Sequence, residues 1–196
     1  MNKKIRELEK EVRRLKILAE RDFLTGVYNR EGFVRQAEKF LETIRRGGVE
    51  IKEGSRFVVF DFSIIFVDLD NLKKLNDKYG HKAGDSFIKL AAKVFTKNLR
   101  DLDIVGRWGG DEFVIGLVNV DLGNSVKVAE KLRKKLSAVK IYGAPRSFKP
   151  SASFGAVSAK SGKKVVSNIR LLIEKADKNM YKAKKNKGNG LVIVYK

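Results

Sequence analysis

Apolar residues at Ile5, Leu8, Val12, Leu15 and Ala19 step by three and four while lysine, arginine and glutamate fill the positions between, which predicts an N-terminal helix with one narrow seam. The seam lasts about two and a half heptads. A helix this charged has only that stripe to bury, on its own domain or, as its narrowness favours, against a second copy. Thr25-Gly26 interrupts the pattern within residues 22–30. A second helix is expected over 31–45, with Phe33, Ala37, Phe40, Leu41 and Ile44 on one side. Gly47-Gly48 and Gly54-Ser55 then bracket the alternating segment 49–52, a surface hairpin or lid. Residues 56–67 read as a strand that is apolar on both faces after Val58, as a central strand covered on both sides requires.

A short helix over 72–79 stops at Gly80, and a longer one is expected over 85–99 with Phe87, Ile88, Ala91, Val94 and Phe95 buried. Strands over 103–108 and 113–118 flank Gly109-Gly110, where a tight turn needs residues tolerant of positive φ. A helix over 124–139 carries Val126, Ala129, Leu132 and Leu136 on one face. Pro145 and Pro150 bound a loop. A strand over 151–159, a helix over 167–184 with Ile169, Leu172, Ile173, Ala176 and Met180 inward, and a strand over 191–195 complete the chain. The core order of strand, helices, strand, strand, helix, strand predicts a ferredoxin-like α/β (α+β) fold with extra elements at either end.

Composition narrows the chemistry. The chain has 196 residues, 43% of them apolar, enough for one domain with a sizeable core plus an extension. It contains no cysteine, so a metal ion would be held by oxygen ligands with the lone His81 in reserve, which favours magnesium or manganese. No apolar run approaches the length of a membrane span and no secretory signal is present, so a cytoplasmic protein without membrane contact is expected. The formal charge of +20 suits a polyanionic partner. The lysines are spread among glutamates, as in 3–16 and 127–140, which resembles solvated helix faces more than a nucleic-acid-binding stripe. A nucleotide triphosphate is the better match. Heavy Lys/Glu use could also reflect a hot-growing source.

The Gly109-Gly110 turn hands Asp111 and Glu112 to the start of a strand, and the apolar run 63–67 ends in Asp68-Leu69-Asp70. Acids converging at strand ends beside a glycine turn suit a divalent-metal phosphate site. Bare backbone at Gly109 and Gly110 would also let a nucleotide approach closely. Lys178 and Lys182, four apart on one helix, could both reach a phosphate tail, although such a pair is also ordinary solvated surface. Guanine presents donors at N1 and N2, which an acid and an amide can read; Asn76 and Asp85 are candidates, with Asp85 also placed as a helix N-cap. His81 follows a helix-ending glycine and reads as a turn residue near the substrate.

The stretch Arg107-Trp-Gly-Gly-Asp-Glu-Phe113 resembles the signature of the GGDEF family, the bacterial diguanylate cyclases. Four further segments match that family in order: Asp22-Phe-Leu-Thr-Gly-Val-Tyr-Asn-Arg30, Asp68-Leu-Asp-Asn-Leu-Lys-Lys-Leu-Asn-Asp77, Gly80-His-Lys-Ala-Gly-Asp85 and Ala176-Asp-Lys-Asn-Met-Tyr-Lys-Ala-Lys184. The resemblance implies a palm-type, mostly antiparallel sheet flanked by helices, as in nucleotidyl cyclases and polymerases. It also implies a coiled-coil signalling helix in 1–21 and a catalytic domain in 22–196.

The implied reaction condenses two GTP into cyclic di-GMP with release of two pyrophosphates across a homodimer, using two Mg²⁺ or Mn²⁺ ions about 4 Å apart in each site. The resemblance implies that Asp68, the Leu69 carbonyl, Asp111 and Glu112 bind metal. Asp111 is the candidate for handling the 3′ proton, a role that metal activation would serve equally. Asn76 and Asp85 match the guanine-reading positions and Lys178 and Lys182 the phosphate-binding ones. Arg100 and Asp103 match an Arg-x-x-Asp site for inhibitory product, although such a pair is ordinarily a local salt bridge. One departure is Leu72, where the family more often has phenylalanine. Rival readings are a silent cyclic di-GMP receptor and a basic nucleic-acid-binding palm module; the intact Asp111-Glu112 pair favours the enzyme.

Overall fold

The computed structural model describes residues 3–46, 49–52, 55–59, 61–160, 168–185 and 192–194. In chain order the elements are α1 (Lys3–Glu20), α2 (Arg30–Arg45), β1 (Val49–Lys52), β2 (Ser55–Val58), β3 (Asp61–Leu69), α3 (Leu72–Tyr79), α4 (His81–Lys97), β4 (Ile104–Arg107), β5 (Glu112–Val118), α5 (Leu122–Ser137), β6 (Ala152–Lys160), α6 (Ile169–Lys185) and β7 (Val192–Val194). The main sheet has the order β4-β5-β3-β6-β7. Its first four strands pair antiparallel, and β7 joins β6 in parallel.

Strand β3 is central because its sequence can be buried on both faces. The alternation of a strand sends Phe62, Ile64 and Phe66 to one face, where they pack with Phe33, Ala37 and Leu41 of α2 and Leu172, Ile173 and Ala176 of α6. Ile65, Val67 and Leu69 go to the other, where Phe87, Ala91 and Phe95 of α4 and Ala129, Leu132 and Leu136 of α5 cover them. The ferredoxin-like expectation therefore holds. Two hydrophobic layers sandwich one sheet.

Several boundaries differ from the sequence reading. Residues 55–58 do not begin the central strand; they fold back as β2 against β1 in a separate antiparallel hairpin, with Lys52 opposite Ser55. Local alternation cannot distinguish these two pairings. The bracketing Gly47, Gly48 and Gly54 lie outside the described residues, as do residues 167, 191 and 195 at the expected ends of later elements. Helix α4 starts at His81, four residues before the expected start, because Gly80 (φ 80°) both ends α3 and precedes α4. A positive φ lets one glycine replace a whole loop. Asp85 thus lies inside α4 and is no N-cap, and His81 is its first residue rather than part of a turn. Helix α5 starts at Leu122, since Asp121 caps it by accepting from the Asn124 amide at 2.8 Å.

Among the described residues, helix α1 is anchored at its C-terminal end. The Asn29 side chain donates to the Ala19 carbonyl at 2.8 Å, and buried Glu20 pairs with Arg35 at 2.9 Å. Its seam residues Leu8 and Leu15 remain 58% and 55% exposed.

Candidate active site

The β3–β5 register sets Asp68 directly opposite Glu112, and directly opposed residues share a face of the sheet. Asp68 continues the parity of Phe62, Ile64 and Phe66, and Glu112 that of Val114, so both carboxylates emerge on the face covered by α6. The Leu69 amide donates to the Asp111 carbonyl at 3.0 Å, which fastens the signature turn to the end of β3. Residues 44 apart in sequence are thereby joined at one strand terminus.

The turn is shaped differently from the sequence reading. It closes with the Trp108 amide on the Glu112 carbonyl at 2.8 Å, and neither Gly109 nor Gly110 has a positive φ. Gly109 instead answers a steric need: a Cβ there would run into the Glu112 carboxylate. Arg107 supports the turn from behind. Its Nη2 donates to the Gly110 carbonyl at 2.8 Å, its Nε to the Gly109 carbonyl at 3.1 Å, and its Nη1 meets both oxygens of Asp22 at 3.3 Å. Asp22 also accepts from the Thr25 amide and hydroxyl, at 3.0 and 2.6 Å. The segment after α1 and the signature turn thus share one arginine. On the other side Arg30 lies over the Trp108 ring, whose edge meets Phe66.

The acids are crowded and poorly solvated. Burial pushes the Asp68 carboxyl above its usual range; the Lys184 ammonium, donating to Asp68 Oδ1 at 2.7 Å, opposes this, and the charges of Asp111 and Asp70 reinforce it. Glu112 is raised by burial first and then by Asp111, Asp68 and Asp177. Burial likewise raises Asp177. Behind them, Asp70 is buried, with Oδ1 accepting from Ser153 at 2.9 Å and Oδ2 lacking a hydrogen-bond partner among the described residues.

A set of hard oxygen donors with more negative charge than its surroundings neutralise fits a divalent cation of the magnesium or manganese type. Asp68, Asp111 and Glu112, with the Leu69 carbonyl, are the groups that would hold one. Among the described residues no three acids yet converge in ligand geometry, and the only cation in contact with Asp68 is Lys184.

The other expected positions are distributed around this centre. Asn76, on α3, has a buried Oδ1 without a hydrogen-bond partner among the described residues, pressed against Gly84 next to the exposed Asp85 of α4. The helix pair α3–α4 therefore presents the amide and the acid as neighbours. His81, Lys178 and Lys182 are exposed. Arg100 and Asp103 do not form the local salt bridge expected of such a pair: the Asp103 carboxylate accepts from the backbone amides of Arg100 at 2.9 Å and Val118 at 3.1 Å, capping the turn into β4. The Arg100 side chain is left facing solvent beside a cavity of about 390 Å³ that Arg21, Tyr28 and Leu99 also line. Lys184, Asp177, Asp70 and Arg107 were all within quoted motifs but received no role from the sequence, because each acts through a partner distant along the chain.

Comparison with known proteins identifies the family. The family model "Diguanylate cyclase, GGDEF domain" matches residues 19–190. Diguanylate cyclase DgcS of Shewanella oneidensis is 34% identical over 163 residues, 83% of this chain and 49% of its own length. Diguanylate cyclase A of Treponema denticola is 30% identical over 172 residues, 88% of this chain and 43% of its own. The chain thus spans under half the length of these relatives. Among solved structures, the coiled coil and GGDEF domain of DgcB from Caulobacter crescentus, in complex with c-di-GMP, superposes with a TM-score of 0.81 at 22% identity, covering 98% of this chain and 94% of that one. The active GGEEF domain of a Vibrio cholerae diguanylate cyclase gives 0.71 at 26% identity, covering 86% and 97%.

Proposed function

This chain belongs to the GGDEF family of diguanylate cyclase domains, and from that premise we propose that it condenses two GTP into cyclic di-GMP. Each ribose 3′ oxygen forms a bond to the other nucleotide's α-phosphorus, each α–β phosphoanhydride bond breaks, and two pyrophosphates and two hydroxyl protons leave. The observation that carries this reading is the β3–β5 register that sets Asp68 against Glu112 beside the signature turn.

In this reading Asp68, Asp111, Glu112 and the Leu69 carbonyl hold Mg²⁺ or Mn²⁺, two ions per site, which when bound would neutralise triphosphate charge and acidify the 3′ hydroxyl. Asp111, at the mouth of the turn, receives the 3′ proton. The Asp85 carboxylate accepts from the guanine N1 and N2 donors, and the Asn76 amide donates from Nδ2 and accepts at Oδ1 on the same edge. Lys178 and Lys182 hold the phosphate tail. A symmetric product needs two such sites face to face, so the active species is a homodimer, with residues 1–21 as the associating signalling helix and 22–196 as the catalytic domain. Product returning to Arg100 and Asp103 restrains the reaction.

The test is chromatography of the products after incubation with GTP and Mg²⁺ or Mn²⁺, with Glu112→Gln as the control. Cyclic di-GMP from the wild type and none from the variant supports the assignment. Tight cyclic di-GMP binding with no product would establish a receptor instead.

A further inference from the structure

Helix α4 buries Ala83, Phe87, Ala91 and Phe95 against the sheet, and the 3.6-residue repeat sends Lys82, Lys89, Lys93 and Lys97 to the opposite, exposed side. Helix α5 does the same beside it. Ser125, Ala129, Leu132 and Leu136 are buried, while Lys127, Lys131 and Lys134 are exposed on the far side. Both helices cover one face of the sheet, and Lys131 Nζ donates to the Asn98 carbonyl at the end of α4 at 3.1 Å. Their two stripes therefore form one outer surface.

The charge on this surface is not neutralised within the fold. The two helices carry nine lysines and arginines against two acids: Glu130, which Arg133 pairs at 3.0 Å, and Asp85 near the N-terminus of α4. Among the described residues no lysine of either helix lies in an ion pair. Lys89, Lys93 and Lys97 even follow one another at four-residue spacing, where like charges repel and weaken a helix. Helix α2 is built differently, since its Arg35 pairs with Glu20 and its Arg45 with Glu38 and Glu42. A polyanion bound from outside would relieve the repulsion on α4 and α5.

The chemistry of the surface selects which polyanion. Lysine supplies a point charge rather than the fork that arginine offers to phosphates and bases, and the one arginine is held by Glu130. Phe87 and Phe95 are buried, so neither helix offers a ring on which a base could stack. Neither exposes a large apolar side chain. The α4 stripe runs for about 22 Å along a straight helix. A flat, ring-free, cationic surface matches the diffuse negative charge of an anionic bilayer. Asp68 and Glu112 emerge on the other face of the sheet, so docking here does not cover them.

We propose that the α4–α5 face docks the domain on an anionic lipid surface. The contact is peripheral, because no helix among the described residues is long and apolar enough to cross a membrane. It replaces the expectation of a chain without membrane contact.

The experiment is cosedimentation of the full chain, in chelator and without GTP, with vesicles of phosphatidylcholine alone or mixed with phosphatidylserine at about three to one. The wild type should pellet only with the anionic vesicles and be released as salt rises from about 0.1 M to about 0.5 M. Lys89→Gln with Lys93→Gln, and Lys134→Gln with Lys135→Gln, should each weaken binding about twentyfold, or roughly fivefold per lysine. Both pairs should melt no lower than the wild type, because like charges are removed. Lys39→Gln with Arg46→Gln, an equal change of charge on α2, should weaken binding far less. Equal or no binding to the two kinds of vesicle, or an equal loss in the α2 variant, overturns the assignment of this face. Tighter binding to a short DNA duplex than to the anionic vesicles, lost in the same lysine pairs, gives the face to nucleic acid and overturns it as well. With neither GTP nor metal present, failure here leaves the cyclase reading standing.

Discussion

Replacing Arg107 with methionine keeps the length of the stem and removes every bond the guanidinium makes. The losses are the bonds to the Gly109 and Gly110 carbonyls and the pairing with Asp22, between side chains only 15% and 13% exposed. Hydrogen bonds to a charged group contribute about 1.5–3 kcal/mol each, but the turn carbonyls regain water on the exposed side, so the net cost is about 2–3 kcal/mol. Asp22 is not stranded, since the Thr25 amide and hydroxyl still bind it. For a domain of this size each kcal/mol shifts Tm by about 2–4 °C, so Arg107→Met should melt about 4–12 °C below the wild type. Because Arg107 serves Asp22 and the turn together, Asp22→Asn and Arg107→Met should be non-additive in a double-mutant cycle, with a coupling of about 1 kcal/mol. Calorimetry of the four proteins measures both quantities. An unchanged Tm for Arg107→Met, or strict additivity, would refute the reasoning that this arginine ties the segment after α1 to the signature turn.

Gly109→Ala should reduce cyclic di-GMP synthesis more than tenfold while moving Tm little, because the new methyl meets the Glu112 carboxylate and not the core; full activity would show that Glu112 need not stay where it is. Asp68→Asn tests the electrostatics through pH. Burial raises the folded-state pKa of Asp68, so protonation favours the fold: that stability is fully present below the ordinary pKa of 3.8 and is lost as pH rises through the raised value. In chelator, the variant's Tm advantage should therefore be largest near neutral pH and shrink on acidification, and a pH-independent difference would contradict it. Arg100→Ala should raise steady-state product without changing the initial rate, and inhibition by added cyclic di-GMP equal to the wild type's would refute the product site. Charged residues at Leu8 and Leu15 should lower specific activity most in dilute protein, since a seam of about two and a half heptads is marginal alone; activity per molecule independent of concentration, in a protein that sediments as a monomer throughout, would exclude the dimer.

What could be read in advance was what repeats locally. The parity of Phe62, Ile64 and Phe66, and the spacing of Leu172, Ile173 and Ala176, are properties of a strand and a helix taken singly, and they place the layers correctly. The start of α4 was missed because Gly80 and Gly84 look like loop residues, whereas Gly80 turns the chain in one step and Gly84 makes room for Asn76. The site was legible as a set of acids through the motif, but not as an electrostatic unit. Lys184 meets Asp68 across 116 residues, and Arg107 meets Asp22 across 85. Neither pairing leaves a periodic trace in the sequence, because each exists only once α6 lies over β3 or once the segment after α1 reaches β4. The motif directs attention to Lys178 and Lys182, which are exposed, while the lysine that contacts Asp68 lies two residues further on. The contact from α6 to Asp68 is therefore set by the register between α6 and β3 and not by the local motif.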